Sequence, residues 1–130
     1  MNFLVREFKE RYFNKILNEI NKDVNSYLFK SNNEGLLVNN YVSSKFIDFL
    51  QSQGFEGDDL ISVYSHNIDL LYMSLALDLK KIGYNVGTTL SLSNGSKQIL
   101  VFIYKSKVKS VIGTIVSNVP FIKSIVKNIA

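Results

Sequence analysis

Several residue types that usually carry chemistry are scarce or missing in this chain of 130 residues. It contains no cysteine, which excludes disulfides, thiolate metal ligands and a cysteine nucleophile. It contains a single histidine, and one histidine without cysteine cannot build a familiar zinc site. Tryptophan is absent and there is one proline, a composition that favours compact regular structure with few rigid loops.

Long apolar runs are also missing. The longest uncharged stretch near the C-terminus, residues 110–122, has 13 residues, whereas a spanning helix needs about 20 predominantly apolar residues. The N-terminus becomes charged at Arg6, so no apolar signal core follows a basic start. We therefore expect a soluble, intracellular and cytoplasmic protein that can lie on a membrane surface without crossing it.

Acidic residues are absent from the second part of the chain. All eleven lie at or before Asp78, and the 52 residues after it contain none, but they do contain eight lysines. The first 78 residues have a net charge of −4 and the remainder of +8. This asymmetry indicates a negative partner, either nucleic acid or an anionic membrane surface, although the basic half could also meet the acidic half of the same chain or of a second copy.

The spacing of apolar residues indicates helices in the N-terminal half. Apolar positions three and four apart between residues 4 and 28 predict one long helix, and residues 31–35 then form a turn. Residues 36–42 are ambiguous and are compatible with a strand. Ser43 or Ser44 is predicted to cap a second helix that Gly54 ends.

A third helix is predicted over residues 60–82, capped by Asp58 or Asp59 and interrupted near residues 65–67. Its second part, residues 70–82, is apolar nearly all round, which is typical of a central buried helix. Two lysines in the last turn, followed by Gly83, predict its end.

The hydrophobic period then changes from helical spacing to alternation. Residues 89–93 alternate, Asn94-Gly95 is a strong hairpin turn, and residues 97–104 are rich in β-formers, so we predict a β-hairpin. The second strand has apolar residues on both faces and is expected to be covered on each side or central in a sheet. Residues 83–87 are expected to form the turn from helix to strand.

The C-terminal segment regains a helical period and contains lysines but no acids. We predict an amphipathic helix kinked at Pro120, with a stripe whose steps alternate between four and three. The stripe consists of Val108, Ile112, Ile115, Val119, Ile122, Val126 and Ile129. Three interpretations remain open for it: a membrane-surface helix, an oligomerisation face, or packing against its own chain.

Together these elements predict a single α+β domain over residues 1–130, with residues 107–130 as a semi-independent amphipathic segment. The helices fill the N-terminal half, and the hairpin belongs to a small antiparallel sheet. We find no internal repeat, no low-complexity segment and no domain boundary.

No motif points to catalysis. His66 lies near Asp58, Asp59 and Asp69, but the spacing does not match a calcium loop, and acids before a helix are typically caps. There is no G-x-S-x-G elbow, dinucleotide fingerprint or phosphate-binding loop. We therefore expect no enzymatic activity, no metal, no cofactor and no small-molecule substrate.

The lysines carry the functional prediction. Six of them are expected to bind phosphates: Lys80, Lys81, Lys97, Lys105, Lys107 and Lys109. A helix followed by a hairpin with a basic residue near its turn resembles a winged-helix arrangement, which implies a recognition helix and a wing. The helix over residues 70–82 is too apolar for a major groove, however, so base-specific reading is not expected.

The leading hypothesis is a small non-enzymatic accessory protein that self-associates and binds nucleic acid non-specifically through its lysine-rich half. The abundance of asparagine, lysine and isoleucine suits a viral or mobile-element protein. One alternative is a peripheral membrane protein that uses the C-terminal helix. The other is a protein–protein inhibitor or assembly subunit in which acidic and basic halves of two copies meet.

Overall fold

The computed structural model describes residues 2–25, 35–93 and 95–104. Within these ranges the chain forms three α-helices and a three-stranded antiparallel sheet, which confirms the α+β class. The elements are α1 (Phe3–Val24), β1 (Leu36–Leu37), a 3₁₀ helix (Val38–Tyr41), α2 (Ser43–Ser52), α3 (Gly57–Ile82), β2 (Asn85–Ser93) and β3 (Ser96–Tyr104).

Helix α1 begins at a capped N-terminus and follows the predicted spacing. The side-chain oxygen of Asn2 accepts the backbone N–H of Leu4 at 2.7 Å, which satisfies a donor that the helix itself leaves free. The buried side chains are three, four and eight apart along one face: Val5, Phe8, Ile16 and Ile20. The helix ends at Val24, and the predicted extension to Leu28 lies outside the described residues.

The ambiguous segment after α1 is mostly not a strand. Only Leu36–Leu37 pairs with the sheet, and the chain then winds into a 3₁₀ helix. The predicted serine cap of α2 is wrong, because Val42 is the N-cap residue and no side chain caps the helix. The backbone is already helical at Val42, whose C=O accepts from Phe46 N–H at 2.9 Å. Ser43 is therefore the first residue of the helix and does not occupy the N-cap position. At the other end, Gly54 adopts a φ of +100° just after the helix.

Helix α3 is continuous, so the predicted interruption near residues 65–67 is wrong. Polar side chains there bond back to the preceding turn instead of breaking it. The Nδ2 group of Asn67 donates to the Val63 carbonyl at 2.7 Å, and His66 Nδ1 lies 2.7 Å from the Ser62 carbonyl oxygen.

The predicted aspartate cap of α3 is also wrong. Glu56 is the N-cap residue and makes no side-chain cap bond, while Asp58 and Asp59 lie inside the first helical turn. Their negative charge is favourable there because the N-terminal end of a helix is positive. The acids therefore act on this helix end through its dipole and not as caps.

The description of residues 70–82 as a helix buried all round needs correction. One side is buried, with Leu71, Tyr72, Leu75, Ala76 and Leu79 in the core. The opposite side exposes Leu70, Met73 and Leu77 by 44 %, 39 % and 56 %. Among the residues that the structure describes, neighbouring elements cover one face of the helix, so its apolar composition overstates its burial.

The hairpin is confirmed, and its second strand lies at the centre of the sheet. Strand β3 pairs with β2 from Asn85↔Tyr104 to Ser93↔Ser96 and with β1 at Leu36↔Ile103. The strand order is therefore β1-β3-β2, as the apolar residues on both faces of β3 predicted. Strand β2 begins at Asn85, so the turn after α3 is shorter than residues 83–87.

The core lies between the helices and the inner face of the sheet. Val101 and Ile103 of β3 are fully buried there. The Phe8 ring is stacked on Tyr12 at 4.8 Å and packs edge-on against Phe46 and Phe49 at 5.2 and 5.7 Å, which joins α1 to α2.

The opposite face of the sheet requires two glycines. A Cβ added to Gly35 would lie 2.9 Å from both Phe102 Cβ and Tyr104 Cε1, and one added to Gly87 would lie 3.0 Å from Tyr104 Cε2. The Tyr104 ring therefore lies between Gly35 and Gly87, and a side chain at either position would clash with it. Burial raises the pKa of this tyrosine above its ordinary value.

No helix within the described ranges is both long and apolar enough to span a bilayer. The predicted kink at Pro120 and the amphipathic segment 107–130 fall outside those ranges.

Candidate nucleic-acid interface

Two of the predicted phosphate-binding lysines lie at the C-terminal end of α3. Lys80 and Lys81 occupy its last turn and are exposed. Gly83, with a φ of +119°, ends the helix, and the N–H groups of Gly83 and Tyr84 donate to the carbonyls of Lys80 and Leu79 at 3.0 and 3.1 Å. This capping turn directs the chain into β2 and leaves both lysines in solvent.

At the C-terminal end of α3 the helix dipole contributes a partial negative charge and the two lysines contribute positive charge. The C-terminus of a helix carries roughly −0.5 of an elementary charge, which stabilises a nearby lysine by about 0.3–1 kcal/mol when exposed. Two ammonium groups exceed that partial charge. The end of α3 is therefore positive overall, while the lysines also stabilise the helix.

The nearby carboxylates are already bound. In the last two turns of α1 and α3 every acidic side chain has a partner. The pairs are Glu19 with Lys45, Asp78 with Lys9, both at 2.7 Å, and Asp23 with the hydroxyl of Tyr41. In contrast, Lys80 and Lys81 form no ion pair with any residue that the structure describes, and the same holds for the exposed Lys22 of α1.

The charge asymmetry of the chain is not neutralised inside the described part. Each of the three ion pairs found there joins an acid to a basic residue that precedes Asp78. For Asp23 the partner is a phenol instead: burial and the hydrogen bond to Asp23 raise the pKa of Tyr41, so its hydroxyl stays protonated and donates. The lysines after Asp78 take no part in these contacts.

A shallow groove of about 230 Å³ lies beside the lysine end of α3, between it and α1. Leu17 and Asn21 of α1 form one wall, and Ile82, Gly83 and Tyr84 form the other. Tyr84 is partly buried, and burial raises the pKa of its phenol above the ordinary tyrosine value. The groove is thus lined by two aliphatic residues, one glycine, one tyrosine and one asparagine, and its lining surface is about equally polar and apolar.

Lys81 flanks this groove. Ser74 and Asp78 of α3 both bond to Lys9 of α1, which shows the side of α3 that faces α1. Lys81 follows Ser74 by seven residues and Asp78 by three, so it lies on the same side one turn further along. Lys80 is one residue earlier and points about 100° away around the helix.

Lys97 is not brought to the same place. It pairs with Leu92, seven residues along β2 from Asn85, whereas the lysines of α3 lie at the other end of the hairpin. At ~3.3 Å per residue this is about 23 Å along the strand. Within the described residues, the structure therefore places Lys80 and Lys81 at one end of the hairpin and Lys97 toward the other.

The other predicted site residues fall outside the described ranges. These are Lys105, Lys107 and Lys109, and the stripe of Val108, Ile112, Ile115, Val119, Ile122, Val126 and Ile129. In the sequence Lys105 directly follows Tyr104, which pairs with Asn85, two residues after Gly83.

His66 is an exposed helix residue whose ring bonds to the carbonyl of Ser62. Asp58, Asp59 and Asp69 are exposed on the same helix. Over residues 2–25, 35–93 and 95–104, no group of three histidine or acidic side chains is arranged to hold a metal ion.

Sequence reasoning missed the α1 side of this region. Leu17 was assigned to the apolar face of a long helix, and Asn21 and Lys22 carried no functional signal. Their proximity to Ile82 and Tyr84 depends on α1 and α3 running in the same direction, with Lys9 beside Asp78 and Leu17 beside Ile82. No local pattern encodes that direction.

Comparison of the chain with protein-family models, with curated proteins and with solved structures finds no match. Function is therefore inferred from the geometry and charge of this chain itself.

Proposed function

We propose that this chain is a small non-enzymatic accessory protein that binds nucleic acid without sequence preference through the lysines at the C-terminal end of α3. The observation that carries the proposal is the unequal pairing of charges there. Glu19, Asp23 and Asp78 are each bound to a partner, whereas Lys80 and Lys81 are exposed without one among the described residues. Unpaired ammonium groups beside neutralised carboxylates attract phosphate.

The chemistry favours phosphate contacts over base reading. A lysine ammonium is a compact, strongly hydrated point charge without the planar fork of arginine, which reads guanine edges. Both arginines lie in α1, and Arg11 is engaged by Glu7 at 3.1 Å. Binding through Lys80 and Lys81 should therefore depend on salt and hardly on sequence.

The proposed surface differs from the set of lysines predicted from the sequence. Lys97 lies about 23 Å away along the hairpin and is left out. Lys22 is added, because the last turns of α1 and α3 lie at the same end of the molecule. Lys105, Lys107 and Lys109 stay in the proposal on the grounds of sequence position after Tyr104.

Fluorescence anisotropy of a labelled single-stranded oligonucleotide, titrated with the full chain between about 50 and 200 mM salt, tests the proposal. The double variant Lys80→Gln/Lys81→Gln should bind several-fold more weakly at low salt. On a single strand, the slope of log affinity against log salt should fall by about 0.7 for each phosphate that the variant no longer neutralises, hence by roughly 1.4.

The matched control removes the same charge elsewhere. Lys15 and Lys97 are exposed and form no ion pair with a described residue, and Lys15→Gln/Lys97→Gln should keep the wild-type slope. Equal losses of affinity in both double variants would show that only net charge matters. Absence of wild-type binding at the lowest salt concentration would overturn the proposed function.

A further inference from the structure

The groove between α1 and α3 offers more than charge. Leu17 and Ile82 contribute apolar walls, and Tyr84, which is partly buried and packs against the hydrophobic core, also lines the groove. An aromatic ring beside apolar side chains presents a flat surface on which a nucleobase can stack, and such stacking tolerates any base. Phosphate binding alone does not require any of these groups.

The position of Tyr84 is set by the backbone. Its N–H donates to the Leu79 carbonyl at 3.1 Å across the left-handed Gly83, so the residue is held by the end of α3 before β2 begins. Because the backbone of Tyr84 is held in this way, only the side-chain torsions lose freedom when a ligand stacks on the ring. Asn21 on the opposite wall is exposed and offers an amide donor and acceptor to a base edge.

The size of the groove limits its occupant. At about 230 Å³ it is smaller than the roughly 300–1,000 Å³ typical of pockets for whole drug-sized ligands. A single planar ring system suits it better. A base within a duplex cannot enter, because it is stacked and paired, whereas an unpaired base can.

The charge beside the groove matches a nucleotide. Lys81 lies on the side of α3 that faces α1 and has no carboxylate partner among the described residues, while Asp78 on the same side is neutralised by Lys9. A base between Tyr84 and Leu17 would carry its phosphate out of the groove toward this lysine.

We infer that the groove is a single-nucleotide subsite for single-stranded nucleic acid, with Tyr84 stacking on an unpaired base and Lys81 binding the adjoining phosphate. This inference rests on the proposed function and assigns it a substrate class. The protein should bind single strands more tightly than duplexes of equal charge, and the difference should depend on the aromatic ring.

Two variants of Tyr84 distinguish the effect of the aromatic ring from the effects of side-chain volume and of the hydroxyl group. Tyr84→Leu keeps an apolar side chain without the ring and should weaken single-strand binding by at least about fivefold, since the stacking of one base on an aromatic ring is lost. Tyr84→Phe keeps the ring and should stay within about twofold of wild type. Duplex affinity and the salt slope should be unchanged in both.

Nuclear magnetic resonance of the full-length wild-type chain provides a readout that does not depend on the stability of a variant. Titration with a thymidine tetranucleotide should shift the backbone amide signals of Asn21, Gly83 and Tyr84 most strongly. In the same assay Asn21→Glu, an exposed change that adds a carboxylate to the groove wall, should weaken binding.

The outcomes distinguish the two proposals. If Lys80→Gln/Lys81→Gln lowers the salt slope while Tyr84→Leu binds single strands as wild type does, the nucleotide subsite is wrong and the phosphate surface stands. Shifts centred elsewhere in the tetranucleotide titration would also overturn the subsite. If the wild type binds neither single strand nor duplex at low salt, both proposals fail.

Discussion

The side chain of Asn39 forms hydrogen bonds to the backbone of β3 just beyond the point where β1 ends. The Nδ2 group of Asn39 donates to the Ile99 carbonyl and its side-chain oxygen accepts the Val101 N–H, both at 2.9 Å. Strand β1 has only two residues, so these two bonds replace the next pair that a longer strand would have made. Asn39 is 5 % exposed, whereas its neighbour Asn40 is exposed to solvent.

At this scale we expect Asn39→Ala to lower the free energy of unfolding by about 1–3 kcal/mol, because a donor and an acceptor of β3 lose their partners. Urea unfolding followed by circular dichroism measures the change. Asn40→Ala is the matched control and should stay within about 0.5 kcal/mol of wild type. Similar losses of stability in the two variants would contradict the role given to Asn39.

Among the elements, α3 shows how a stretch rich in apolar residues, 70–82, can have one buried and one exposed face. Leu75 is 1 % exposed and packs in the core, while Leu77, two residues later, is 56 % exposed. Two residues correspond to about 200° around a helix, so the pair points to opposite sides. Composition alone cannot tell which leucine faces the sheet.

This asymmetry makes a direct prediction for α3. We expect Leu75→Ala to cost about 2–5 kcal/mol of stability because it leaves a cavity in the core. Leu77→Ala removes the same atoms from an exposed site and should cost less than about 1 kcal/mol. Thermal and urea unfolding of both variants measure the difference, and comparable destabilisation would show that the Leu77 face is covered in solution.

Across the whole molecule, burial changes the titration of several tyrosines. It raises the pKa of Tyr72, Tyr84 and Tyr104, and burial together with Asp23 raises that of Tyr41. For Tyr72 the nearby Tyr64 adds to the effect of burial. An unfolded tyrosine titrates near pH ~10, so above this pH the unfolded chain loses protons that the folded chain keeps.

The resulting stability contribution is complete below about pH 10 and falls as the pH rises toward the folded pKa values. We therefore expect the urea midpoint to decline increasingly above that pH. Tyr72→Phe should be less stable at neutral pH, because its hydroxyl bonds are removed, but its midpoint should decline less steeply in alkali. Tyrosinate absorbance during the titration reports ionisation directly, and identical alkaline slopes in both proteins would contradict the assignment to Tyr72.

At the scale of the proposed site, the sequence supplied the candidate lysines but not their positions relative to one another. The position of Lys80 and Lys81 in the last turn of a helix follows from Gly83, which is a local helix-end pattern. The separation of Lys97 follows from the length of β2, and the addition of Lys22 follows from the direction of α1. Both depend on how elements are arranged in space.

The sequence by itself determined α1, the end of α3, the hairpin and the division of charge along the chain. These features depend on neighbouring residues, through helical spacing, the αL preference of glycine and the Asn-Gly turn, and they need no knowledge of packing. Only the tertiary structure decided that Asp78 is bound by Lys9, that Asn39 extends the sheet and that Leu17 and Tyr84 line one groove. Each of these joins residues that are far apart in the chain, and such contacts form only when whole elements pack against one another.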